Sequence, residues 1–189
     1  MEQLSNVATR SYKSYRARLM ASLRLQARGR AWNTSLLSLA VATTFSSIAL
    51  LTDDGMYGKA GPTVLVCVSV LALVASLVVT SLNYGGRSRD MFMNYRALQR
   101  LSVEAENLLA NSVQSPDLVD RLSDRYESLL DDSENHTSAD HKRADPGSDV
   151  SIWVLRRAHL LTALPYVALI IPLAVLAPIV SWFFSGAGS

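Results

Sequence analysis

The chain has 189 residues, of which 49% are hydrophobic and 18% charged, with a formal net charge of +2. The charge is segregated: three uncharged apolar stretches, at 32–52, 62–83 and 160–184, leave about 120 residues outside them, too few for a membrane anchor plus a large catalytic domain. A helix rises about 1.5 Å per residue, so each stretch is long enough to cross a hydrocarbon core of about 30 Å, and the composition predicts an all-α integral membrane protein.

Residues 1–31 form the first predicted unit, a basic amphipathic helix. At about 100° per residue, Tyr12, Tyr15, Leu19 and Leu23 share one face, and Arg10, Lys13, Arg24 and Arg28 share the other. Two readings stand: a helix lying in the membrane surface with its cations near anionic headgroups, and a helix packed on a cytoplasmic bundle with its basic face solvated. Gly29 is expected to weaken the helix just before the membrane.

The second unit, 32–83, reads as a transmembrane hairpin. Trp32 stands at its entry. Asp53, Asp54, Gly55, Gly58 and Gly61 make a short turn, and Pro62 suits the first turn of the next helix. Tyr84, Gly85 and Gly86 are expected to stop the second span. Along that span Ser69, Ala72, Ser76, Thr80 and Asn83 recur at helical spacing. A hydroxyl stripe of this kind either lines a hydrated path between subunits or lets helices approach closely in lipid; both readings turn it inward. Cys67 lies mid-span and is the only cysteine, so no internal disulfide forms.

Residues 84–159 are read as a helical region on the cytoplasmic side. A helix over 88–111 carries Met91, Tyr95, Leu98, Leu101, Ala105 and Leu108 on one stripe. A second starts at Ser115, Pro116 and Asp117 and carries Val119, Leu122, Tyr126 and Leu129, with Asp117, Asp120, Asp124 and Glu127 on its other face. These stripes are narrow and need each other, the N-terminal helix or a neighbouring subunit, which points to a homo-oligomer. Residues 131–149 are polar and acidic, predicting a loop or short broken helix. Within it Asn135, His136, Asp140, Lys142 and Arg143 form the densest polar cluster. Two histidines and an aspartate invite a metal reading, but no third site has supporting spacing; a structural Asn/His/Asp network and anion binding at Lys142 and Arg143 are the other readings.

The third stretch, 160–184, holds Pro165, Pro172 and Pro178 at intervals and ends on Trp182, Phe183 and Phe184. It reads either as a deformable helix or as a re-entrant or peripheral anchor. Basic residues cluster at 10–30, at Arg87, Arg89, Arg96 and Arg100, and at Arg156 and Arg157. Basic flanks stay cytoplasmic, so the N-terminus and 84–159 are placed inside, and the 53–61 turn and the C-terminus on the far side.

No span contains an ionisable side chain, which argues against proton relays and ion-coupled transport. There is no Gly-rich phosphate loop, nucleophile elbow or metalloprotease motif, so neither an enzyme nor a cofactor site is expected, and direct nucleic-acid binding is not expected either. The proposed lever runs from Thr80 and Asn83 through Arg87 and Arg89 into the helix over 88–111, with Arg87, Arg89, Arg96, Lys142 and Arg143 as the groups to meet an anionic ligand.

The order of elements, with Tyr12 to Trp32, Met93-Asn94-Tyr95-Arg96 and the run Glu134-Asn135-His136-Thr137-Ser138-Ala139-Asp140, resembles the SLATT family, two-transmembrane effectors associated with SMODS nucleotidyltransferases and SLOG sensors. The resemblance spans roughly 8–143 and leaves the third stretch outside the two-span core. It implies a bacterial conflict or antiphage effector of the inner membrane that oligomerises and perforates or depolarises the bilayer. The implied trigger is a nucleotide second messenger, or a linked sensor, nucleotidyltransferase or reverse transcriptase. The competing class is a non-perforating membrane scaffold that tethers a cytosolic partner through the acidic 117–134 face.

Overall fold

Among the described residues of the computed structural model the secondary structure consists of α1 (Glu2–Thr52), α2 (Gly61–Ser81), α3 (Tyr84–Ala110), α4 (Pro116–Asp131), α5 (Ser138–Ala144), α6 (Ile152–Ala168) and α7 (Ile170–Gly186). The structure describes all residues except 1, 113–114, 132–133, 135–136, 146, 148–149 and 187–189; among the described residues there is no strand. The chain is an all-α membrane protein, and three of its helical stretches are long and apolar enough to cross a membrane. It divides into two units. Met1–Gln26 joins Tyr84–His159, and Ala27–Asn83 joins Leu160–Ser189.

The first unit is built where α1, α3 and α4 each bury one face. Leu4, Val7 and Ala8 of α1 meet Leu98, Leu101 and Ala105 of α3 and Leu122 and Tyr126 of α4 in one core. Ala21, Leu25 and Met91 form a second cluster beside Tyr84. The Ser102 hydroxyl donates to the Ala8 carbonyl at 3.5 Å and the Ser88 hydroxyl to the Ser22 carbonyl at 2.9 Å, so α1 and α3 run antiparallel. The α3 and α4 stripes read from the sequence are the buried ones. The N-terminal helix supplies their third side, one of the partners the sequence reading allowed.

The buried face of α1 differs from the expected one. Leu4, Val7, Ala8, Ser11, Ala17, Arg18, Ala21, Ser22 and Leu25 face inward, while Tyr12 and Leu23 are 41% and 50% exposed. Small side chains explain the shift. Ser11, Ala17 and Ala21 let the backbones of neighbouring helices come close, a packing gain that apolar periodicity does not register. The helix packs on the bundle, but its basic face is not simply solvated: Arg24 is buried against Asp140.

In the second unit, α1 continues through Gly29 without a break. One glycine costs about 1 kcal/mol in a helix, which a 51-residue helix tolerates. Its inward residues are again small: Ala31, Ser35, Ala42, Thr43 and Ser46. In the turn after α1 the Asp53 carboxylate accepts from the Gly55 amide at 2.9 Å, and Gly58 adopts φ 67°. A Cβ at Gly61 would sit 2.2 Å from the Tyr57 Cβ, so only glycine fits there. Pro62 then occupies the first turn of α2, as expected.

Two boundaries differ from the sequence reading. The second span ends at a turn over Leu82 and Asn83, with Asn83 at φ 43°, and Tyr84, Gly85 and Gly86 form the first turn of α3. Asparagine tolerates the left-handed region because its short polar side chain bonds locally, so the stop lies one residue before the tyrosine-glycine run. The lever from Thr80 to Arg89 is therefore interrupted. The third stretch is two helices, α6 and α7, parted at Leu169, whose amide bonds back to Tyr166 at 3.2 Å. Pro172 cannot donate to the carbonyl four residues earlier, which locates the break.

Candidate functional site

Two polar constellations stand out, one in each unit. In the second unit, α2 buries only Gly61 and Leu65. Val68, Ala72, Ala75 and Val79 are half-buried, and with those two they trace one narrow inward line. The predicted stripe lies beside that line. Ser69, Ser76, Thr80 and Asn83 are exposed on the single chain and do not pack against its own spans. Two of them bond within the helix: the Ser69 hydroxyl donates to the Leu65 carbonyl at 2.8 Å and the Thr80 hydroxyl to the Ser76 carbonyl, also at 2.8 Å. A hydroxyl that bonds its own backbone satisfies its proton in lipid and keeps lone pairs for water.

Also in the second unit, the Tyr57 hydroxyl lies 2.6 Å from the Ser46 hydroxyl and 2.7 Å from the Val175 carbonyl, and the Ser46 hydroxyl reaches that carbonyl at 3.3 Å. Val175 lies in the turn that Pro178 disturbs. A proline within a membrane helix needs such outside donors to satisfy the backbone it perturbs. Arg28 donates to the Thr162 hydroxyl at 3.3 Å, tying α1 to the start of the third stretch.

In the first unit, Leu129, Leu130, Glu134, Asp140 and Asp145 clasp α1 and α3. The Arg24 guanidinium donates twice to the Asp140 carboxylate, Nε to Oδ1 at 2.8 Å and Nη2 to Oδ2 at 2.9 Å. The Asp140 side chain is fully buried, and that of Arg24 is 9% exposed. Asp140 also accepts from the Thr137 amide at 3.0 Å and the Thr137 hydroxyl at 2.7 Å, while its own amide donates to the Thr137 hydroxyl. This is a capping box that starts α5. A buried charge pair survives only when its remaining lone pairs are met, and here both carboxylate oxygens are bonded.

Arg18 is buried without a carboxylate. Its Nη1 donates to the Glu134 carbonyl at 2.7 Å and its Nη2 to the Leu130 carbonyl at 3.4 Å, at the end of α4. Carbonyls at a helix C-terminus carry partial negative charge, which suits a cation. Its Nη1 also lies 3.9 Å from the Met91 sulfur, and its Nε has no partner among the described residues. Burial lowers the Arg18 pKa from its ordinary value, with Tyr126 opposing. The Arg87 guanidinium pairs with the Glu134 carboxylate, Nε to Oε2 at 2.7 Å. That hydrogen bond raises the pKa of Arg87 and holds Glu134 below the usual carboxylate range. Asn94 donates to the Leu129 carbonyl at 2.6 Å, and Lys13 lies 3.7 Å from Asp145. Tyr126 is gripped from α1 by Ser14 at 2.9 Å and by Arg10, stacked 4.9 Å from its ring centre.

The predicted ligand residues thus separate. Arg87 and Asp140 lie in the clasp, each engaged by a partner of opposite charge. Lys142 is half-buried and Arg143 exposed in the last turn of α5. Arg89 and Arg96 lie on the exposed face of α3. Asn135 and His136 lie outside the described residues. Sequence reasoning missed Arg18, Arg24, Glu134 and Thr137 as parts of the clasp. One signal was available: a threonine followed three residues later by an acid is the capping-box pattern. The arginines gave none, because their partners lie 116 residues away along the chain.

A family model described as SMODS and SLOG-associating 2TM effector domain family 5 matches residues 1–184. The match includes the third apolar stretch, which the sequence reading had set outside the family core. No curated protein and no solved structure matches the chain.

Proposed function

The chain belongs to the SMODS and SLOG-associating 2TM effector domain family 5, and on that premise we propose that it is a membrane effector of a bacterial conflict system that assembles as a homo-oligomer and permeabilises or depolarises the inner membrane when triggered. The observation that carries this reading is α2. It is a charge-free helix of 21 residues that leaves nearly all its surface uncovered by its own chain, including a polar stripe in which Ser69 and Thr80 bond their own backbone. Apolar side chains on the rest of α2 suit lipid, and the hydroxyls suit a hydrated seam among copies. The trigger belongs to the cytoplasmic side, where a nucleotide signal or a linked sensor meets the basic residues Lys142 and Arg143 at the end of α5.

The test uses liposomes containing the full chain and a trapped dye, together with a potential-sensitive dye in cells. Ser76 and Thr80 are exposed, so Ser76→Leu and Thr80→Leu leave the fold of one chain intact. The expected outcome is at least about a tenfold fall in leakage for the double variant, as the hydrated seam becomes a dry one. Leakage equal to that of the unaltered chain removes the stripe from the permeation path.

A further inference from the structure

The outer face of α3, in the first unit, combines two properties that a water-facing helix rarely combines. Phe92, Met93 and Val103 are 41%, 64% and 50% exposed there. Arg89, Arg96 and Arg100 are exposed among them. At about 100° per residue all six fall within about 100° of one another, on the side opposite the buried Met91, Leu98 and Leu101. A groove of about 430 Å³ runs along this face, lined in part by Arg96, Gln99, Arg100 and Val103. Glu104 also lines the groove, but it is paired with Arg125 of α4 at 2.9 Å, so the arginines set the sign of this face, and an apolar patch rimmed by charge marks an interaction surface rather than a solvated one.

The complement is present on the same chain. On α4, Asp117, Asp120, Asp124 and Glu127 are exposed, follow spacings of three, four and three, and fall within about 80° of one another, opposite the buried Leu122 and Tyr126. These two faces belong to different helices of one bundle and carry opposite charge. One molecule cannot bring its own pair together, because each helix turns its other side to the shared core. We infer that the outer face of α3 docks onto the acidic outer face of α4 of a second copy of this chain. The contact is heterologous, so every copy offers one face and fills another, and the arrangement propagates until it closes into a ring or continues as a filament. Phe92, Met93 and Val103 supply the desolvated centre and the arginines the steering and register. The inference rests on the reading of the chain as a self-assembling effector and specifies the surface that joins the copies.

The test reverses the two faces separately in the full chain, as R96E/R100E and as D120R/D124R, with mass measured by native mass spectrometry in detergent and helical content followed by circular dichroism. Each variant alone presents two faces of like sign, and its self-association is expected to weaken at least about tenfold. Mixed in equal amounts, each variant offers the face the other lacks, and assembly is expected to return as alternating copies. A reversal that keeps the assembly of the unaltered chain, or folded variants that stay monomeric when mixed, overturns the contact. Dye leakage read on the same samples separates the two claims. Assembly that responds to both reversals without any leakage fails the effector reading and leaves the contact standing. Leakage that persists in the monomeric reversal variants fails the contact as the assembly that matters.

Discussion

Helices α2 and α3 are consecutive in the chain, and α3 buries a full apolar stripe where α2 buries only Gly61 and Leu65. α3 hides Met91, Leu98 and Leu101 and exposes Arg89, Arg96 and Arg100. α2 hides only Gly61 and Leu65, and exposes Val66, Leu71, Leu73 and Leu77. The difference is one of solvent. In water, burying a leucine yields roughly 1.5–3 kcal/mol and decides which face turns inward. In lipid that gain vanishes, and close contact through small side chains decides instead. α1 belongs to both units, and small residues recur along its inward face, from Ala17 and Ala21 to Ala42 and Ser46, with Leu4, Arg18 and Leu25 buried only in the first unit.

The largest effect that tests this contrast is expected where charge is buried in the water-facing unit. Asp140→Ala leaves the Arg24 guanidinium buried without its carboxylate and is expected to cost about 3–5 kcal/mol. Hydrogen exchange of the amides in α1 and α5 reads this locally: their protection falls together, and the double variant Arg24→Ala with Asp140→Ala recovers part of it. An unchanged exchange pattern in Asp140→Ala contradicts the clasp. Next comes the direct comparison of leucines. Leu101→Ala in α3 is expected to lose about 2–5 kcal/mol, and Leu71→Ala in α2 less than about 0.5 kcal/mol, both measured by urea or thermal unfolding in one detergent. Equal losses erase the contrast. The smallest effect belongs to Arg87 and Glu134. The Glu134 pKa is depressed in the folded chain, so the pair's contribution is present above the ordinary glutamate pKa and lost as pH falls through the folded value. Both side chains are partly exposed, which limits the effect to about 1 kcal/mol. Glu134→Gln is expected to lower stability by up to about 1 kcal/mol at neutral pH and to leave the acid end nearly unchanged, so the acid limb of the profile flattens.

Much of this architecture was legible beforehand, for reasons that differ by region. The spans were legible because charge is absent over whole stretches, and the stripes of α3 and α4 because leucine and tyrosine recur at helical spacing. The α4 start at Pro116 was legible from turn chemistry. The inward face of α1 was not, because Ser11, Ala17, Arg18 and Ala21 carry no apolar signal and bury for close approach. Arg24 and Arg28 read as topological charges, yet one neutralises Asp140 and the other binds Thr162. The stop at Asn83 was displaced by one residue because the glycines that follow it are also compatible with a helical first turn. In the candidate membrane stripe, spacing identified Ser69, Ser76, Thr80 and Asn83 as one set, while their position outside the chain's own packing required the neighbouring helices.

The bond from Tyr57 to the Val175 carbonyl has a consequence for the bilayer itself. It fixes the turn disturbed by Pro178 against the loop that follows α1, and so helps set the apolar length that α7 presents. A helix whose bend is pinned cannot match thinner lipid by bending further, and must tilt or deform the lipid at a cost of fractions of a kcal/mol per Å. Tyr57→Phe therefore turns a fixed length into an adjustable one. Acyl-chain length, varied from short to long in otherwise identical vesicles, becomes a physical coordinate along which the tyrosine and phenylalanine forms diverge.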